Sequence, residues 1–101
     1  AEPALATAEV LELLAQRGGL VRSAASRLLF SRAPGPEGDD LLFANGAVHR
    51  LPPGQAGFLS LLANDRILAE AAARPWLDRP DCADLLRDLF NAGHFLDAAD
   101  D

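Results

Sequence analysis

The chain has 101 residues, a formal net charge of −6 at pH 7 and one cysteine. This length suits a single domain that buries about two-thirds of its unfolded surface, and one cysteine excludes an internal disulfide. The sequence has no apolar run of about 20 residues and no signal peptide, so we expect a soluble, cytoplasmic protein. Because the chain starts without methionine, we also expect it to be a piece of a longer protein.

The first predicted element is a helix over residues 3–17, followed by Gly18-Gly19, which is typical of a helix C-terminus. Its apolar residues recur with helical spacing, so one face should pack against other parts of the protein. We assign residues 1–21 to this helix, as the end of a preceding helical or dimerisation region. Residues 22–101 then form the main domain.

A strand is predicted over Arg27–Arg32, where the two faces alternate, and a solvated, mobile loop, APGPEGDD, over residues 33–40. Two more strands, Leu41–Ala44 and Ala47–Leu51, are separated by Asn45-Gly46 alone. This dipeptide predicts a type I′ turn, which needs two residues that tolerate positive φ. The three strands should form a small antiparallel sheet.

The period of the apolar residues then changes from 2 to 3.6. We predict a helix opened by Pro52-Pro53 and ending near Asn64, a short strand at Ile67-Leu68, and one or two helical turns that stop before Pro75. An amphipathic helix follows, with Asp81 in its first turn and Gly93 at its C-terminal end, and then a short strand before an acidic tail. The order predicts an α+β, winged-helix-like domain with an N-terminal helix, a hairpin sheet and three helices interspersed with short strands.

Five elements in this order resemble one family: SRLLFSR, the loop that follows it, LLFANGAVHRLP, LSLLANDRIL and LLRDLFNAGHF. They are similar to the C-terminal winged-helix region of bacterial cupin-type, or JmjC-type, 2-oxoglutarate-dependent ribosomal protein hydroxylases. The resemblance covers about residues 22–97. The positions that match the family's motifs are Leu42, Phe43, Asn45, Gly46, Leu62, Asn64, Asp65, Arg66, Leu86, Leu89, Gly93 and Phe95.

The resemblance implies that this chain holds no catalytic residue and no metal. Such enzymes bind Fe(II) through an H-x-D motif and a distant histidine, whereas His49 precedes Arg-Leu and His94 precedes Phe-Leu. Fe(II) and 2-oxoglutarate are therefore expected in a catalytic domain of the parent polypeptide. The resemblance further implies that this domain supports the catalytic or dimer-forming region, with homodimerisation through the parent and a ribosomal protein or peptide as partner.

The residues that could carry chemistry have simpler interpretations. His49, His94 and Cys82 lack the close spacing of a zinc site, and Cys82 has no histidine at a recognisable offset that would make it a nucleophile. The acidic residues Asp81, Asp84 and Asp88 share one helix face, which a solvated surface explains. Because this helix would enter the major groove in a DNA-binding winged helix, its acidity disfavours DNA binding.

One strip carries positive charge without acids. Arg22, Arg27 and Arg32 recur at intervals of five across the first predicted strand, as in a strip that receives an acidic peptide or ribosomal RNA. The alternation with Leu28 and Phe30 is compatible with the addition of a peptide strand. The same charges would also protect an edge strand from aggregation. The predicted binding residues are Arg22, Arg27, Leu29, Ser31 and Arg32.

Three functions remain open at this point. The first is the non-catalytic accessory domain of a 2-oxoglutarate oxygenase, and the second is a free-standing peptide-binding module, of the kind that carries leader peptides, using the edge of the first strand. The third is a DNA-binding winged helix. We predict that Asn45 and Gly46 only form the turn and bind nothing.

Overall fold

A computed structural model of the chain describes residues 4–32 and 38–97, with only the backbone of Arg32. The predicted acidic tail beyond residue 97 and most of the predicted loop, residues 33–37, lie outside this part. The elements in chain order are α1 (Thr7–Arg17), β1 (Gly19–Arg22), β2 (Leu28–Arg32), β3 (Asp40–Ala44), β4 (Ala47–Leu51), α2 (Ala56–Asn64), β5 (Ile67–Ala69), α3 (Glu70–Leu77), α4 (Pro80–Asn91) and β6 (Phe95–Asp97).

The predicted hairpin sheet is confirmed. Strands β2, β3 and β4 form an antiparallel sheet in the order β2-β3-β4, with Leu29 opposite Phe43 and Phe43 opposite Val48. Both turn residues have positive φ, 47° at Asn45 and 94° at Gly46, as a type I′ turn requires. Asp40 belongs to β3 and is buried, so its assignment to the solvated loop was wrong. Its carboxylate accepts a hydrogen bond of 2.7 Å from the Gln55 backbone N–H.

A second sheet was not predicted as such. Strand β1 lies between β5 and β6 in an antiparallel sheet, with Leu20 opposite both Leu68 and Asp97. The two outer strands of this sheet were predicted as isolated short strands, whereas β1 was missed. Its four residues are too few to show a periodicity, and their partners lie more than forty residues away in the sequence.

The helices differ from their predicted bounds at three places. Helix α1 begins at Thr7, whereas the predicted helix began at residue 3. Helix α2 begins at Ala56 rather than at the Pro52-Pro53 pair, and α3 continues through Pro75 to Leu77. The expectation that α3 stops before Pro75 was wrong. The end of the helix is held by Trp76. Its ring centroid lies 6.3 Å from that of Phe58, and its ring faces the guanidinium of Arg79. This packing offsets the hydrogen bond that proline cannot donate.

One core joins all layers of the domain. Helix α1 contributes Val10 and Leu14 to the same buried cluster as the hairpin sheet and α4, and it packs directly along α4. The boundary predicted after residue 21 stays a prediction. The fully buried large side chains are Val10, Leu14, Leu20, Leu42, Phe58, Leu59, Leu62, Leu68, Cys82, Leu86, Leu89 and Phe95.

The predicted fold class is confirmed: the described residues form an α+β domain with four helices and two small antiparallel sheets. Within residues 4–32 and 38–97, no helix has both the length and the hydropathy that crossing a membrane requires.

Candidate functional site

The predicted binding strand, β2, is a terminal strand of the hairpin sheet, and helix α2 packs beside it. A groove with a volume of 240 Å³ opens at the start of β2. It brings together three of the predicted residues, Arg22, Arg27 and Leu29, although Arg22 belongs to the other sheet. Ser31 lies further along β2, outside this groove, and Arg32 is the last residue of the strand. We call this the arginine groove; its described lining is Arg22, Ser26, Arg27, Leu28, Leu29 and Ala63.

Arg22 is fixed in the groove by the C-terminal part of α2. Its Nη1 donates a hydrogen bond to the carbonyl oxygen of Ala63, and its backbone N–H donates to the carbonyl of Arg66 at 2.7 Å. The last carbonyls of a helix have no partner within the helix, and they favour cations. The sequence therefore places a guanidinium where α2 ends, which no local pattern revealed.

The backbone of Arg27 is held by the hairpin turn. Its N–H donates to Oδ1 of Asn45 at 2.6 Å, and the Asn45 N–H donates to the Arg27 carbonyl at 3.2 Å. Asn45 thus extends the pairing of β2 and β3 by one residue beyond the strand. The sequence analysis assigned Asn45 to the turn alone. The signal for its second role, holding the backbone of Arg27, was that an asparagine side chain carries a hydrogen-bond acceptor.

The floor of the groove is linked to the second sheet. Ser26 Oγ lies 2.7 Å from Nδ1 of His94, and the His94 carbonyl accepts a hydrogen bond of 2.9 Å from the Ser23 N–H. His94 is buried, and burial is the main cause that lowers its pKa, with the nearby charge of His49 acting in the same direction. The imidazole therefore joins the segment that precedes β2 to the residue that precedes β6.

A second cleft, with a volume of 330 Å³, lies between β4 and α4, at the edge of the hairpin sheet opposite β2. It is acidic, since Asp81, Asp84 and Asp88 line it beside four consecutive residues of β4. Arg87 pairs with Asp84 at 3.6 Å and with Asp88 at 3.0 Å. These pairs agree with the interpretation of a polar helix surface, and they leave α4 without the free cations that a DNA-reading helix needs.

Cys82 lies in the core. Its Sγ donates to Oε1 of Gln55 at 3.2 Å, and burial raises the pKa of the thiol above its ordinary value, although the charge of Arg79 acts against this. The thiolate is the nucleophilic form, so this environment disfavours reactivity. Cys82 is therefore explained as a small packing residue of the core.

An iron site of the kind that the resemblance implies for the parent needs two histidines and a carboxylate that converge on one point. Among the described residues, no group of three or more His, Cys, Asp or Glu side chains is placed to hold a metal ion. His94 Nδ1 is engaged by Ser26, and His49 faces the acidic cleft. The residues present here do not fit Fe(II).

The outward face of the hairpin sheet carries one row of apolar side chains. Leu29, Phe43 and Val48 lie side by side across all three strands, with exposed fractions of 68%, 36% and 51%. Their neighbours along the chain point to the opposite face. We call this row the outer apolar row. Adjacent exposed apolar side chains of this kind mark surfaces that other protein segments cover.

Compared with models of known protein families, residues 1–95 match the family described as "ROXA-like winged helix". The match includes the helix at the N-terminus as well as both sheets, so it is longer than the resemblance noted from the motifs. No curated protein and no solved structure matches the chain.

Proposed function

Because the chain belongs to the ROXA-like winged-helix family, we propose that it is the non-catalytic C-terminal domain of a ribosomal oxygenase. In this proposal the parent polypeptide is a JmjC-type or cupin-type protein hydroxylase that uses Fe(II) and 2-oxoglutarate. The domain supports the catalytic or dimer-forming region and helps to present a ribosomal protein substrate. The parent acts as a cytoplasmic homodimer.

The single observation that carries this proposal is the family match over residues 1–95. The structure supports it through the outer apolar row, because a domain that is covered by a larger protein needs an apolar face in addition to its own core. Leu29, Phe43 and Val48 offer such a face on rigid strands.

The coding frame provides the first test. We expect the reading frame upstream of Ala1 to encode a β-rich region that contains an H-x-D motif and a later histidine. An upstream region without these residues would contradict the proposal.

The second test separates the domain from its parent. We expect the isolated chain, supplied with Fe(II), 2-oxoglutarate and ribosomal proteins, to release no succinate, whereas the parent hydroxylates one of them. In the parent, hydrogen exchange measured by mass spectrometry should show the outer apolar row better protected than in the isolated chain. The matched control is Val21, which the domain already buries and whose protection should not differ. Turnover by the isolated chain would disprove a non-catalytic role.

A further inference from the structure

The arginine groove contains two guanidinium groups that no carboxylate of the described residues neutralises. In the described part of the chain, Arg17, Arg50, Arg74 and Arg87 pair with carboxylates, and Arg79 contacts Gln55 and the ring of Trp76. Neither Arg22 nor Arg27 has a carboxylate partner there, and no acidic residue is among the described lining. This is notable in a chain with 15 acidic and 9 basic residues.

The groove is also preorganised. The Arg22 guanidinium is held by the carbonyl of Ala63, and the backbone of Arg27 by Asn45. An arginine that is already fixed loses little conformational freedom on binding, and guanidinium–carboxylate hydrogen bonds are among the strong ones in proteins. Leu29 adds an apolar contact beside the two cations, since most of its side chain is exposed.

From these contacts we infer that the arginine groove binds an acidic peptide segment, with carboxylates at Arg22 and Arg27 and an apolar side chain against Leu29. Charge complementarity selects this occupant. RNA would meet two cations in the described lining of the groove and a surrounding protein of net charge −6, which repels phosphates. A second copy of this groove would place arginine against arginine.

The test uses the full 101-residue chain and a fluorescein-labelled peptide of nine residues in which glutamate and leucine alternate. Fluorescence anisotropy at low ionic strength should show binding that weakens as salt is added. A peptide with glutamine in place of glutamate should bind at least about tenfold more weakly, because the charge-assisted hydrogen bonds are lost. In NMR spectra of the labelled chain, the amides of residues 26–29 and of Ala63 should shift.

Two double variants with the same change of net charge distinguish the groove from the overall charge. Arg22→Ala with Arg27→Ala should lower the affinity at least about tenfold, whereas Arg17→Ala with Arg74→Ala should leave it within about twofold because both lie outside the groove. If the first variant unfolds through loss of the Ala63 contact, Arg27→Glu alone serves, since Arg27 is exposed. Equal losses in the two variants, equal binding of the glutamine peptide, or tighter binding of oligouridine would each overturn the inference. The inference does not rest on the proposed oxygenase, since all measurements use this chain alone.

Discussion

On the two faces of the hairpin sheet, apolar side chains that are neighbours in sequence differ in burial. Leu28 and Leu42 point inward, where they join the cluster formed with Phe58 and Leu62, whereas Leu29 and Phe43, their neighbours in sequence, form part of the outer apolar row. A half-exposed antiparallel sheet normally alternates apolar and polar residues. The outer apolar row departs from this rule, although Ser31 and Arg50, two residues along on the same face, are polar. These three apolar positions are typical of a sheet covered on both sides, whereas the described residues cover the inner face only.

The largest expected effect compares the same substitution on the two faces. Leu42→Ala should lower the free energy of unfolding by about 2 to 5 kcal/mol, because it leaves a cavity in a fully buried site. Leu29→Ala should change it by no more than about 0.5 kcal/mol, since the side chain is mostly exposed. Urea denaturation of both variants measures the difference. Equal losses would mean that the two faces are not distinct in the isolated domain.

The next effect concerns the turn that sets which residues face inward, since a shift of the strands by one residue would exchange the two faces. Gly46→Val should destabilise the hairpin by about 1 kcal/mol or more, because Gly46 has a φ of 94° that a β-branched residue adopts with strain. Thermal unfolding followed by circular dichroism measures this. Ala47→Val, one position later in an exposed strand site, is the matched control and should leave the melting temperature nearly unchanged. An unchanged melting temperature in Gly46→Val would contradict the turn type.

A smaller effect is expected where the turn holds β2. Asn45→Ala removes the acceptor for the Arg27 N–H and should cost about 0.5 to 1.5 kcal/mol, while Asn45→Asp keeps an acceptor and should retain most of the stability. Hydrogen exchange at the Arg27 amide reports the bond directly. If exchange of the Arg27 amide is as slow in Asn45→Ala as in the wild-type chain, the Asn45 side chain does not hold β2.

The smallest effect is a pH dependence at the junction of the two sheets. Because burial lowers the pKa of His94 below its ordinary value of 6.5, the unfolded chain binds this proton more readily than the folded domain. The contribution to stability is therefore complete above pH 6.5 and is lost as the pH falls through the lowered folded value. Denaturation at a series of pH values should show this slope in the wild-type chain and a weaker one in His94→Gln. Identical slopes would show that His94 titrates normally.

Several elements could be predicted from the sequence because their signals are local. The Asn-Gly pair specifies a type I′ turn wherever two strands flank it, and the apolar stripe of α4 with Asp81 in its first turn and Gly93 after its end marks a helix without reference to other residues. The family could be recognised for the same reason, since its motifs are short and occur in order.

The tertiary structure decided the features whose causes lie far apart in the chain. Strand β1 exists because β5 and β6 pair with it, and α3 passes through Pro75 because Phe58 and Arg79 hold Trp76. Short strands and helix ends take their stability from packing, which a local pattern does not contain.

The candidate site shows the same division. The sequence predicted that Arg27 and Leu29 lie on one strand, and the spacing of five residues grouped Arg22 with them. In the structure Arg22 does lie near them, but for a different reason: it belongs to the other sheet and reaches the groove from there. Which of two adjacent leucines is buried, and which arginines lack a carboxylate, depends on where α2 and the second sheet pack. The local sequence determined most helices and strands of this domain, whereas long-range packing determined β1, the end of α3 and the exposed surface.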